Sequence, residues 1–437
     1  MKVVVVGGGF AGCGAAMAAA KAGATVTLIE RTDMLLGCGL DAGIFRVKGR
    51  FTAAEELKAM GGGDIFEVLE SLLVKLPPRP KGPYSDIYEY ADIYEVTTSE
   101  LRVKDLLERA GVKIHLKTRA MDVKKDGNRI DAVVLRGFGG THDEIEKGDV
   151  FVDSSGTAGG VEFCRKYGKG CMMCMMRCPA FGDRISIATK AGAPELMRYR
   201  EDGTPGALTS CVVLNKDTVD PEFRAELAEK GIIVKPLPNE AVDPKRATML
   251  TNTNLPSGHG VDNVNNLTII DIGHAIKLQG SVYFPLEKLR MIPEFKNARL
   301  ISPLAGDWNA IRYVSMTLRD DALKVDGFTN LYCAGEKSGA QVGVTEAVVS
   351  GYLAGHNAAR TALGKAPLVL PRSTAIGDFV AFVNEQMRKG KVKVGYSFQG
   401  GPYLKRMEEL GFFTKDVNTI KARVEKAGVT GVFALKP

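Results

Sequence analysis

Four cysteines within fifteen residues, Cys164, Cys171, Cys174 and Cys178, form the densest group of reactive side chains in a chain that has eight cysteines in all. Thiolates this crowded repel one another unless a cation or a cluster holds them. The run Cys171-x-x-Cys174-x-x-x-Cys178-Pro179 matches the later part of the bacterial ferredoxin pattern, so a [4Fe–4S] cluster is the expected occupant. Upstream the spacing departs from that pattern: six residues separate Cys164 from Cys171, and the Gly168-Lys169-Gly170 turn would have to bring Cys164 round. Three other readings stay open. Zinc usually takes two C-x-x-C-like pairs, and this segment has one. Cys171 and Cys174 would also serve as a redox dithiol. Positions 171, 174 and 178 share helical spacing, which is the packing alternative, with the four methionines at 172, 173, 175 and 176 as apolar filler or as a soft shell around a metal.

The second chemical signature is Gly7-x-Gly9-x-x-Gly12, with Glu30 further on. Gly7 allows a sharp turn, Gly9 lets a diphosphate approach the backbone, and Gly12 lets a helix pack on a strand. The N–H groups of the helix start favour the diphosphate. Glu30 is placed to accept both ribose hydroxyls of an adenosine, and it would repel a 2′-phosphate, which argues against NADP in this site.

These glycines need a strand before them and a helix after them. Val3 to Val6 is a β-branched run, an Ala-rich helical stretch starts directly after the glycine cluster, and Thr25 to Ile29 is a second apolar run ending at Glu30. That is the β-α-β order of a dinucleotide fold. A helix is predicted over Glu100–Ala110, followed by strands in VKIHLKTRAMDVKKDG, IDAVVLRG and DVFVDSSG. Phe51 to Ile93 is an insertion with helices predicted at Ala53–Met60 and Ile65–Lys75, broken by Gly61-Gly62-Gly63 and followed by the proline-set connector LPPRPKGP. In the middle of the chain, SCVVLNK (Ser210 to Lys216) and NLTIIDIGHAIKLQGSVYFPLEKL read as sheet strands. His274 there reads as a structural histidine, and Cys211 and Cys333 read as core cysteines. No second GxGxxG follows a strand, so a nicotinamide donor would have to dock transiently.

In sequence the chain resembles the flavoproteins with two dinucleotide folds. Ser155-Gly156 stands where their mid-chain ATG-like turn falls, and Gly335-Glu336 stands where their late Gly-acid pair falls. The pattern ELRVKDLLERAGVKIHLKTRAMDV…FVDSSGTAGG is similar to the broad FAD-dependent oxidoreductase family that includes proteins like the flavin-bearing subunit of heterodisulfide reductase. EAVVSGYLAGHNAAR and LPRSTAIGDFVAFV are similar to flavoproteins that modify uridine in tRNA, including the folate-dependent tRNA-uracil methyltransferase. In the second stretch, Ser373 or Thr374 would cap a C-terminal helix. The cysteine group is not part of that tRNA family's pattern. The resemblance implies FAD as cofactor, held by Gly7, Gly9, Phe10, Ala11, Gly12, Glu30, Arg31, Val123, Ser155, Gly156, Gly335, Glu336, Gly343 and Val344. The helix start at Gly343–Glu346 would face the flavin pyrimidine ring. Leu35 to Phe45 would pass beside the isoalloxazine, making Cys38 the candidate catalytic thiol, with a small buried residue as the alternative.

Of the 437 residues, 45% are hydrophobic and 25% charged, ordinary for a globular protein of two or three domains. No uncharged apolar run is long enough to span a bilayer, and Met1-Lys2-Val3 leads straight into the first strand without room for a signal peptide, so a cytoplasmic protein is expected. From Pro371 onward, twelve Lys and Arg stand against six Asp and Glu, so +6 of the net charge of +7 lies in the tail. A solvated face, or a face for RNA, a nucleotide or an acidic partner protein, would each fit that charge.

The expected architecture is α/β: a Rossmann-like, glutathione-reductase-like FAD domain (1–160 and 325–366), an inserted α+β substrate domain (161–324) carrying the cysteines, and a basic helical domain (367–437). The expected function is an FAD-dependent oxidoreductase passing electrons between flavin and a [4Fe–4S] cluster, or zinc in its place, with NADH or ferredoxin as redox partner. The main alternative is a tRNA or RNA uridine-modifying flavoenzyme using a cysteine such as Cys211 on uracil. A second alternative is a non-enzymatic flavin-bound assembly subunit. Oligomeric state stays open, with a homodimer among the options.

Overall fold

The structure is a computed structural model that describes residues 1–39, 43–74, 92–156, 181–199, 203, 207–208, 212–241, 266–271, 273, 275–279, 286–300, 311–312, 314–390, 392, 395–434 and 436–437. The chain opens with strand β1 (Lys2–Val6), helix α1 (Phe10–Lys21) and strand β2 (Thr25–Ile29). Helices α2 (Gly49–Ala59) and α3 (Asp64–Ser71) form the described part of the insertion. Helix α4 (Ser99–Arg109) leads to β3 (Lys113–His115), then to the strands β4 (Thr118–Asp126), β5 (Arg129–Gly137) and β6 (Glu144–Lys147), and to β7 (Val150–Asp153). Lys117, at φ 52°, separates β3 from β4, so the predicted long strand is two.

β1, β2, β3 and β7 join a late strand at Leu331–Cys333 in one five-stranded parallel sheet; the late strand pairs with β7, and β1 lies at the centre. Val3 to Val6 is fully or almost fully buried, as expected of a strand covered on both faces. β4, β5 and β6 form an antiparallel meander. The last of these, EIEK, is too polar to stand out in the sequence and lies exposed at the sheet edge.

A short helix α5 (Ile187–Ala191) opens the inserted region, followed by β8 (Glu195–Met197). Strands β9 (Val212–Asn215), β10 (Ile232–Pro236), β11 (Asn266–Asp271) and β12 (Ala275–Gln279) form an antiparallel sheet, with helix α6 (Pro221–Lys230) between β9 and β10. Phe223, Leu227, Leu267, Ile269, Ile276 and Phe295 build a separate core there. β13 (Ser315–Thr317) pairs with β8, and β14 (Leu331–Cys333) is the late strand of the parallel sheet.

Helix α7 (Val344–Ala362) packs along α1 at backbone distance. A Cβ on Gly355 would come within 2.0 Å of the Ala15 carbonyl oxygen, so only glycine permits this crossing. The tail is helical: α8 (Ala375–Arg388), α9 (Gly401–Glu409) and α10 (Val417–Lys426). Thr374 is the N-cap of α8, its hydroxyl accepting the Gly377 amide at 3.1 Å. Among the described residues no helix is long and apolar enough to cross a membrane.

Candidate functional site

The C-terminal ends of β1, β7 and β14 and the starts of α1 and α7 surround a cavity of about 290 Å³. Gly7, Gly9, Phe10 and Ala11 line it. Gly7 has φ 104°, and α1 starts at the N-cap Gly9 with no side-chain cap and no acidic residue in its first turn. A Cβ on Gly9 would meet no protein atom within 4 Å, so that position opens on the cavity. Gly12 does not line the cavity. A Cβ there would fall 1.7 Å from the Gly7 carbonyl oxygen, which makes its task close packing of helix on strand. An uncapped helix start facing a cradle that a Cβ at Gly9 would occupy is what a diphosphate needs.

Glu30 and Arg31 line the same cavity. The buried Glu30 carboxylate accepts the Gly8 amide at 2.7 Å and the Thr32 amide at 2.8 Å. Sequence reasoning assigned this carboxylate to ribose hydroxyls alone. Each oxygen retains acceptor capacity for a hydroxyl beyond those backbone bonds, so the two roles coexist. Arg31 Nη1 donates to the Gly182 carbonyl at 2.6 Å.

Ser155 and Gly156 line the cavity after β7. The turn is set by Asp153, whose carboxylate accepts the Ser155 amide and hydroxyl on one oxygen and the Ser186 hydroxyl and Ala188 amide on the other. Gly335, Glu336, Gly343 and Val344 line it from the late segment. Gly335, at φ 66°, donates its amide to the Ser350 hydroxyl and accepts from Gln341.

Val123 lies elsewhere. It pairs with Val133 in the meander and packs on the core beneath it, and the meander's contribution to the cavity is instead Thr118, Arg119 and Ala120. Asp183, Arg184 and Ile185 also line the cavity. Sequence reasoning missed these because no local motif marks them: the chain returns to the nucleotide fold there through carbonyl contacts from Gly182 to Arg31 and from Asp183 to Arg119.

The backbone of Cys38 lies in a single turn, Gly37–Gly39, between two lining residues. Cys164, Cys171, Cys174 and Cys178 lie outside the described residues, as do Cys211, His274 and the connector LPPRPKGP. Among the described residues no group of three or more His, Cys, Asp and Glu is placed to hold a metal. Cys13 and Cys333 are buried, and burial pushes both thiols up to about 12, so neither is a thiolate near neutral pH.

The fold and cavity define a flavoprotein-type nucleotide site, and residues 2–163 match the family described as FAD dependent oxidoreductase. Residues 278–366 match the family described as glucose inhibited division protein A. Curated relatives are methylenetetrahydrofolate–tRNA-(uracil-5-)-methyltransferases TrmFO. That of Koribacter versatilis is 31% identical over 22% of this chain and 21% of its own length. That of Solibacter usitatus is 30% identical over 30% of each chain. The matched stretches thus span about a third or less of those relatives. Two crystal forms of Aquifex aeolicus GidA share the fold, with TM-scores of 0.62 and 0.61 at 18% and 16% identity; each match covers 97% of this chain, and 76% and 78% of theirs. The 2–163 match bears out the FAD-dependent oxidoreductase part of the expected resemblance, and the curated relatives support its tRNA-modifying part in place of heterodisulfide reductase.

Proposed function

We propose that the chain is an FAD-dependent oxidoreductase that acts on uridine in RNA in the cytoplasm. The observation that carries this reading is the overlap between the 278–366 match and the cavity: that segment supplies the Gly335 to Ala347 wall. FAD, when bound, supplies two-electron chemistry. In this reading the start of α1 and Gly9 would hold its diphosphate and Glu30 would orient its adenosine ribose, while Leu36, Gly37 and Gly39 line the cavity beside Gly9. Exposed Lys389, Lys405, Lys421 and Lys426 on the tail offer charge to phosphates. The test is tRNA binding across a salt series, together with nucleoside analysis of tRNA incubated with the flavin-loaded protein and a reductant. Binding that weakens steeply with salt and a changed uridine would support the reading; salt-independent binding and unaltered uridine would remove it.

The cysteine spacing favours a second reading, a [4Fe–4S] relay to the flavin. Its support is the ferredoxin-like run together with the described flanks of that segment: Gly156 before it and Asp183 after it both line the cavity. Protein purified without oxygen should then be brown, contain about four irons and show a cluster signal in EPR. Replacing Cys171 and Cys174 by serine should abolish all three. Iron-free yellow protein would leave the flavoenzyme reading standing alone.

A further inference from the structure

Glu346 lies in the first turn of α7, where a carboxylate ordinarily caps its own helix. Here every hydrogen bond shown to that side chain comes from elsewhere: Arg50 Nε at 2.9 and 3.0 Å, the Ser397 hydroxyl at 2.7 Å and the Phe398 amide at 2.9 Å. Arg50 and Glu346 are both buried, and Arg50 also donates to the Val342 carbonyl at 2.8 Å and to Gln399. The N-cap, Gly343, makes no side-chain cap, so the positive end of the helix faces the cavity through Gly343 and Val344. A Cβ on Gly343 would fall 1.9 Å from Arg50 Nη2 and 2.1 Å from Glu346 Oε2. The ion pair therefore lies one backbone layer behind the cavity wall.

Glu30 marks the ribose end of that cavity, so the α7 end is the ring end. Reduction of a flavin by two electrons and one proton leaves one added negative charge on the ring. A helix start stabilises that charge, and an unpaired carboxylate in its first turn would oppose it. We propose that Arg50 is a positioning residue that sets the reduction potential of the bound flavin, by neutralising Glu346 and leaving the α7 dipole unopposed. The proposal rests on the reading of the cavity as an FAD site. The competing role is a mechanical clamp joining α2, α7 and the segment 397–399, which would change stability and leave the potential alone.

The experiment is measurement of the flavin potential against reference dyes in the full chain loaded with FAD, with extracted-flavin stoichiometry and melting temperature recorded in parallel. Arg50→Met should make the potential more negative, lowering the reduced-to-oxidised ratio at a fixed applied potential by about tenfold. Arg50→Lys should stay near wild type, and Arg50→Met with Glu346→Gln should recover most of the shift. Should Arg50→Met fail to fold, Glu346→Gln alone carries the test, because an uncompensated Arg50 moves the potential upward. Unchanged potentials in variants that hold stoichiometric flavin would overturn the proposal while sparing the FAD site. Wild-type protein that neither retains FAD nor is stabilised by it would overturn the site reading itself, and the proposal with it.

Discussion

The carboxylate of Glu56 is wholly buried, lies 3.0 Å from Arg423 Nη1, and accepts the amides of Ala375 and Ile376 at 3.0 Å each. One side chain on the insertion helix α2 thereby satisfies the start of α8 and pairs with α10. It joins segments about 320 and 367 residues apart in the chain. Several tail cations are engaged in the same way: Arg406 bonds Asp378, Arg372 bonds Glu385, and Arg388 bonds Asp326. Part of the tail's positive charge therefore serves docking of the helices, Lys405 pairs with Glu409 at 3.9 Å, and exposed Lys389, Lys421 and Lys426 offer charge to a polyanion.

Glu56→Ala would leave two helix-start amides without an acceptor and Arg423 without its partner. Truncating one member of a buried pair costs about 3–5 kcal/mol. The urea midpoint of the tail's unfolding should fall accordingly, with early proteolysis after Leu370. A midpoint equal to wild type would show that the tail is held by its apolar contacts alone.

Gly9 and Gly12 should respond in opposite ways to a single methyl group. Gly9 has φ −67° and open space where its Cβ would go, so Gly9→Ala should fold with stability within about 1 kcal/mol of wild type. Its methyl fills the diphosphate cradle, so FAD affinity should drop at least about tenfold, a loss of about 1.4 kcal/mol. Gly12→Ala drives a methyl into the Gly7 carbonyl, and the apo-protein itself should lose stability. Thermal melts without FAD and flavin titrations separate the two effects; equal melts for both variants would contradict this assignment.

The reading of β1, α1 and β2 from sequence agrees with the structure because each element is set by local patterning and each glycine by its own backbone. The cap of α8 was legible only as one of two hydroxyls, Ser373 or Thr374, and the structure places it at Thr374. The start of α2 was not legible. Gly49 and Arg50 are poor predictors of a helix start, yet the helix begins there rather than at Ala53, with Arg50 bonded to a carboxylate 296 residues away. Likewise Asp183 to Ile185 join the cavity through contacts to Arg31 and Arg119, and their own residue types advertise no nucleotide chemistry. What escaped the sequence is what long-range ion pairs and carbonyl contacts decide.

Asp153 is buried, and its carboxylate accepts four hydrogen bonds, two from Ser155 at 2.5 and 3.0 Å, one from the Ser186 hydroxyl at 2.6 Å and one from the Ala188 amide at 2.9 Å. Asp153→Ala should therefore destabilise the fold by about 3 kcal/mol and also weaken FAD binding, because the Ser155-Gly156 turn loses its anchor. Asp153→Asn replaces an acceptor by a donor and should recover little of either. Full flavin affinity in Asp153→Ala would show that the turn holds its shape unaided.

His356 gives the protein an acid-sensitive core. It is buried on α7, its ring meets Phe433 edge-on at 5.3 Å, and neither ring nitrogen has a hydrogen-bond partner among the described residues. Burial, with a smaller contribution from Arg360, pushes its pKa down from 6.5 to about 4. The folded protein thus keeps this histidine neutral where the unfolded chain would protonate it. Stability is complete above about pH 6.5 and is lost progressively as pH falls toward 4, by at most about 3 kcal/mol. His356→Phe keeps a ring against Phe433 and removes the titration. Urea midpoints measured from pH 7 to pH 4 should fall less steeply in this variant than in wild type. Parallel curves for the two proteins would assign the acid sensitivity to other groups.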